Sequence, residues 1–258
     1  MCLFSTAIDA HPVYRLIIAA NRDEFYSRPT KPLDFWEENP EILAGKDLQS
    51  GGTWLGVSRK GKIAAVTNFR DPASMIPWGE SRGHLVKDYL EGNTQPHEYF
   101  ADIEKNKTSY SGFNLMAGDT GQLWWYSNKN GGVVKLTPGI HAVSNHLLNT
   151  PWPKVEAIKR KMQKLISNNR IIDPHKVLDL LFDTTPAPDS ELPDTGVNLQ
   201  WERMLSPVFV TGTEYGTRSS SVILADRHGR LVFCERTFSV NHGTPAPENT
   251  RCFEIQLP

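Results

Sequence analysis

The chain has 258 residues, 39% apolar and 22% charged, which suits a globular protein and excludes a collagen-like or low-complexity one. Its formal net charge is −1, so no overall field favours nucleic acid or an anionic membrane. No apolar run approaches the roughly 18 residues of a transmembrane helix.

The three cysteines, Cys2, Cys234 and Cys252, are odd in number and form no CxxC. That pattern speaks against a disulfide framework and a thiolate zinc site, and it fits a reducing, cytoplasmic setting. The amino-terminal segment lacks a basic stretch, and its most apolar run, VYRLIIAA, is short and carries Arg15, so no secretory signal is expected.

In chain order, CLFSTAI and VYRLIIAA read as a β-hairpin broken at DAHP. Residues 27–50 are rich in proline and charge and read as a loop. TWLGVS and KIAAVTN flank RKG and read as a second hairpin. Ser81 is placed to cap a helix through RGHLVKDYLEG, with Leu85, Val86, Tyr89 and Leu90 on one face. Thr94 and Pro96 open another through HEYFADIEKN.

Strands return at FNLMAG, QLWWYS, VVKL and IHAVSN. A helix follows from about Trp152 to Asn168, with Val155, Ile158, Met162, Leu165 and Ile166 as its apolar stripe and five lysines or arginines mainly off it. Asp173 and Pro174 begin a short helix holding Val177, Leu178, Leu181 and Phe182 on its inner side. Residues 184–200, proline-rich and acidic, read as a long exposed loop. PVFVTG, SSSVILAD, LVFCERTF and RCFEIQL close the chain as strands. Strict βαβ alternation is missing, so the expected fold is α+β: two antiparallel sheets packed together, with helices outside, in a single domain spanning residues 1–258.

Cys2 raises the chemical question. It is small enough for Met1 to be removed, which leaves a thiol and a free α-amine on one carbon. The amine (pKa roughly 7.7–8.0) and thiol (about 8.5) are closely matched near neutrality, so the amine can act as the thiol's base. Such a site also needs a carboxylate to orient the amine and donors for a tetrahedral oxyanion.

Polar clusters at strand ends supply these types. In AANRDEF, Asp23 reaches the chain start if the first two strands pair. TNFRD offers Asn68, Phe69, Arg70 and Asp71, VSNH offers Asn145 and His146, and GTRSS offers Arg218. Asn68 and Asn145 are the candidate oxyanion donors, and Arg218 can hold a carboxylate or buttress Asp23.

The blocks MCL, NRDE, GGTWLGV, TNFR, SRG, VSNHLLNTPWPKV and GTRSSSVIL resemble those of the NRDE proteins, the transport-and-Golgi-organisation protein 2 family. That family is similar to the cysteine N-terminal-nucleophile (Ntn) hydrolases, nearest the choloylglycine hydrolases and penicillin V acylases. The resemblance implies a four-layer αββα sandwich. It implies Cys2 as nucleophile, Asp23 as amine-orienting carboxylate, Asn145 and Asn68 at the oxyanion and Arg218 beside the nucleophile. Arg22, Trp54, Phe69, Arg70 and His146 are the matching candidates for binding substrate. One departure stands out. Arg22 and Asp23 are adjacent, so on a regular strand they face opposite ways and cannot both point at Cys2.

Two readings follow. The first is an amidohydrolase acting on a linear amide without a cofactor, its cleft lined by some of Phe25, Tyr26, Phe35, Trp36, Trp54 and Trp78. The second is a non-catalytic carrier of haem, or of a lipid or acyl-CoA, as the family's links to haem trafficking and lipid homeostasis imply. Its conceivable axial ligands are Cys2, His84, His141 and His146. No HExxH, P-loop or GxGxxG supports metal-dependent hydrolysis or nucleotide chemistry. The sequence leaves substrate and oligomeric state open.

Overall fold

A computed structural model describes residues 2–76, 79–168, 170–241 and 244–258. Thirteen strands and five α-helices are described. They are β1 (Cys2–Ile8), β2 (Tyr14–Phe25), β3 (Thr30–Phe35), β4 (Ile42–Asp47), β5 (Leu55–Ser58), β6 (Lys62–Asn68), α1 (Arg82–Glu91), α2 (Pro96–Lys105), β7 (Phe113–Asp119), β8 (Leu123–Ser127), β9 (Val133–Lys135), β10 (Gly139–Val143), α3 (Pro153–Ile166), α4 (Pro174–Leu181), α5 (Leu199–Leu205), β11 (Tyr215–Asp226), β12 (Arg230–Asn241) and β13 (Thr244–Gln256).

The strands form two antiparallel sheets. One runs β10-β1-β2-β11-β12-β13 and the other runs in sequence order from β3 to β9. Their facing surfaces bury Phe4, Ile18, Leu43, Val57, Met116, Ile223 and Phe233. The far face of the first sheet buries Leu3, Ile17 and Val222 against Val155 and Ile158 of α3 and Val177 and Leu178 of α4. The far face of the second buries Ile42, Ala64 and Leu115 against Val86 and Leu90 of α1 and Phe100 of α2. The layers are therefore helix, sheet, sheet, helix, as expected. Among the described residues no helix is long and apolar enough to cross a membrane.

Several expectations need correcting. Residues 27–50 are not a loop, because β3 and β4 form the edge of the second sheet. Their register shifts between Lys31 and Asp34, which breaks the alternation by which a strand announces itself. PVFVTG is not a strand. Its Val208, Phe209 and Val210 are buried core outside any sheet. Gln95, not Thr94, precedes α2, and α5 takes up the end of the acidic loop.

The cysteine count misled as well. Cys234 and Cys252 face each other across β12 and β13 and are joined as a disulfide, leaving Cys2 as the free thiol. Two cysteines 18 residues apart give no sign in sequence that their strands pair.

Candidate active site

The pleat of β1 and β2 sorts the site into two faces. Phe4, Ile8, Leu16, Ile18 and Ala20 lie in the core between the sheets, whereas Leu3, Ala7, Ile17 and Ala19 face the helices. Cys2 pairs directly with Arg22. Directly opposed residues share a face, so the thiol and Arg22 belong to the inter-sheet side and Asp23 to the helix side.

The contacts agree. Arg22 stacks 4.2 Å over the Trp54 ring and lies 3.7 Å from Asp47. Asn21 donates to the carbonyls of Leu181 (3.1 Å) and Val208 (2.8 Å), beside α4. Asp23 is fully buried. Its Oδ1 accepts from Thr217 Oγ1 at 2.7 Å, its carbonyl accepts from Tyr215 OH at 2.9 Å, and its Oδ2 lies 4.0 Å from Lys154 Nζ.

Across β1 from Arg22 lies β10. Phe4 pairs with Val143, the last residue of β10, and Ser144 and Asn145 follow directly as the chain leaves the sheet. Ser144 Oγ donates to the Cys2 carbonyl at 3.3 Å. Asn145 is fully buried, and its Nδ2 donates to the Asn68 carbonyl at the end of β6 (2.9 Å). Thr67 Oγ1 donates to the Ser144 carbonyl (2.7 Å) and the Arg70 N–H to the Asn145 carbonyl (2.7 Å). These bonds clamp the end of one sheet to the end of the other and bring Cys2, Asn68 and Asn145 to one place.

A cavity of about 340 Å³ opens beside the clamp, lined by Asn68, Arg22, Trp54, Arg28 and Arg82 among others. Its wall depends on glycine. A Cβ on Gly52 would come within 2.4 Å of the Gly83 backbone, and Thr53 N donates to the Gly83 carbonyl at 3.2 Å. The motifs GGTWLGV and SRG are thus one contact, which seats the start of α1 against the cleft. A second cavity of about 460 Å³ shares Arg22 and Trp54 and adds Arg218 and the buried Glu235.

Other candidates have different surroundings. β11 bulges between Thr217, which pairs with Asp23, and Ser219, which pairs with Arg22, so Arg218 is the extra residue. Its Nη1 donates to the carbonyls of Phe25 (3.0 Å), Tyr26 (3.1 Å) and Arg28 (2.9 Å), holding the turn after β2. Arg70 lines neither cavity. It is buried, 2.6 Å from Glu202 and 5.0 Å from the Trp152 ring. Phe69 packs 4.9 Å from His146, which packs 5.6 Å from Trp152, a wall behind the clamp.

Of the proposed aromatic lining, Trp54 lines both cavities, and Tyr26 lines another with Arg218. Trp36 is core, Phe35 packs edge-on against Phe253, Phe25 is exposed, and Trp78 lies outside the described residues. Nε2 of His84 lies 2.6 Å from the Ser50 carbonyl, and Nε2 of His141 lies 2.8 Å from that of Thr137. Nδ1 of His146 lies 2.9 Å from Thr150 Oγ1. Among the described residues no three histidine, cysteine or acidic side chains are grouped to hold a metal ion.

Sequence reading missed Lys154 and Glu202. Lys154 lies four residues before Ile158 and eight before Met162, on the helix's apolar row. That position was the available signal.

Burial sets the electrostatics. It pushes the half-buried Cys2 thiol above its ordinary pKa, with Asp23 adding to the rise and Arg22 opposing it. It raises the Asp23 carboxyl, against the pull of Lys154 and the Thr217 hydrogen bond. It lowers Lys154 to about 8, with Asp23 opposing. At 4.0 Å the Asp23–Lys154 attraction therefore offsets only part of the dehydration cost of the two charges.

The chain is 34% identical to the mouse Transport and Golgi organization 2 homolog, covering 99% of this chain and all of that one. It is 36% identical to the human homolog, over 92% and 93% of the two chains. Among solved structures, an arginine-to-leucine variant of a conjugated bile acid hydrolase from Clostridium perfringens superposes with a TM-score of 0.53. That match covers 99% of this chain and 98% of the hydrolase at 10% identity, so it establishes a shared Ntn-hydrolase fold. The family profile covers residues 1–240, and the chain belongs to the Transport and Golgi organisation 2 family.

Proposed function

We propose that the protein is an Ntn-type amidohydrolase with Cys2 as its nucleophile, acting on a linear amide. The observation that carries this reading is the register. Cys2, the free thiol, pairs across the strands with Arg22, its carbonyl accepts from Ser144, and the adjoining Asn145 is bonded to Asn68, which lines a cavity; this supports the reading.

Once Met1 is removed, the α-amine of Cys2 takes the thiol proton as sulfur attacks the carbonyl carbon. The Asn68 and Asn145 amides stabilise the oxyanion. The proton passes to the leaving nitrogen as the C–N bond breaks, leaving a thioester. Water then attacks, gives one proton to the amine, and releases the acid as the thiolate recovers it. Arg22 is on the thiol's face and meets the substrate. Asp23, behind the sheet, orients the amine.

The proposed setting is the cytoplasm, where Met1 is removed during synthesis. The carrier reading has less support, because both ring nitrogens of His141 are engaged and neither cavity at the site is lined by His84, His141 or His146. A haem titration that shifts the Soret band at micromolar protein would revive it. The test of the amidase reading is turnover of an N-acyl amide library by the Met1-free protein. Activity lost in a folded Cys2→Ala protein supports it, and unchanged turnover there removes it.

A further inference from the structure

Lys154 is 3% exposed, and among the described residues its ammonium has no hydrogen-bond partner. It occupies the second position of α3. A cation there bears two costs, dehydration worth several kcal/mol and the positive end of the helix dipole. An apolar side chain would continue the Ile158–Met162 row without either cost. Other basic residues of α3 behave ordinarily: Lys161 pairs with Asp183 at 2.6 Å and Lys159 with Glu156 at 3.4 Å, both partly exposed.

The charged groups around Lys154 are Asp23 on β2, Cys2 on β1, Arg70 after β6 and Glu202 on α5. Arg70 is matched to Glu202 at 2.6 Å, and the carboxylate within ion-pair reach of Lys154 is Asp23 at 4.0 Å.

We propose that Lys154 is a positioning residue of the Cys2 site. Its ammonium holds Asp23 as a carboxylate behind the first sheet, and Asp23 in turn fixes the amine of Cys2. The assignment rests on the reading of Cys2 as nucleophile. Because burial drives the Asp23 carboxyl toward its neutral form, its charge depends on the groups that oppose burial, among them Lys154, the Thr217 hydrogen bond and the more distant Arg70. Lys154, titrating at about 8, supplies a cation at pH 7.

The test uses the full-length, Met1-free protein under non-reducing conditions, where Cys2 is the free thiol. Two readouts are taken for wild type, Lys154→Met and Lys154→Arg: the infrared carbonyl band of a protonated carboxyl, assigned with Asp23→Asn, and the pH profile of iodoacetamide alkylation. Lys154→Met is expected to show a protonated Asp23 at pH 7 and, with the carboxylate charge that raises the Cys2 thiol removed, an alkylation profile displaced to lower pH. Lys154→Arg is expected to restore both. An ionised Asp23 and an unchanged profile in folded Lys154→Met overturn the proposal. If that variant does not fold, the Lys154 Nζ resonance of wild type decides: an ammonium at pH 7 supports the proposal and a neutral amine overturns it. The infrared band is read without turnover, so a lack of amidase activity in every variant counts against the nucleophile reading and not against this one.

Discussion

At Asn145 a single side chain serves both structure and proposed chemistry. Its Nδ2 donates one N–H to the Asn68 carbonyl, and the proposed chemistry assigns the second to the oxyanion. Asn145→Ala is expected to lower kcat about 10²–10³-fold, the usual loss for one oxyanion donor. It should also lower stability by about 1–3 kcal/mol, because a buried carbonyl loses its partner. A kinetic loss without a stability loss would mean that the clamp does not depend on this side chain.

Lys154 makes a pH prediction of known sign. The unfolded chain holds its lysine proton up to about 10.4 and the folded chain only to about 8, so between these values the unfolded state binds more protons. This residue's contribution to stability therefore rises with pH across that window, by at most about 1.4 kcal/mol per pH unit. Asp23 acts oppositely in the window just above its ordinary pKa. Urea midpoints from pH 8 to 10 should climb more steeply in wild type than in Lys154→Met, and parallel slopes would place the lysine's titration elsewhere.

At the scale of elements, α5 is joined to the clamp by one buried pair, Arg70–Glu202. Glu202→Leu removes the carboxylate 2.6 Å from the buried Arg70 guanidinium and is expected to cost about 3–5 kcal/mol. Arg70→Met combined with Glu202→Leu should recover most of that, as read from urea unfolding. A double variant no better than the single one would show that the pair does more than cancel charge.

α4 shows how far local sequence reaches. Asp173 Oδ1 accepts from the His175 N–H at 2.9 Å, and Val177, Leu178 and Leu181 are fully buried. Cap, proline and periodicity specified that helix, but Phe182, expected inside it, follows its last residue and is exposed. β3 and β4 were invisible for the opposite reason: their pairing is tertiary, and a register shift interrupts their alternation.

For the whole molecule, the antiparallel αββα arrangement was readable because strand and helix blocks alternate in the chain and each period points its apolar residues inward. The site was readable in its parts. Cys2 begins β1, Asn68 ends β6 and Asn145 follows the end of β10, whereas Arg22, opposite Cys2, lies three residues inside the end of β2. What sequence withheld was depth: which face each residue takes at the β11 bulge, and that Lys154 points inward from α3.

The claim on which the account depends is that Cys2 is an activated amino terminus. The direct measurement is intact mass and peptide mapping of the untagged protein, before and after brief alkylation without reductant. The account predicts a chain lacking Met1 and labelled at Cys2, with Cys234 and Cys252 unlabelled. A chain that retains Met1, or a Cys2 inert to alkylation, would contradict it.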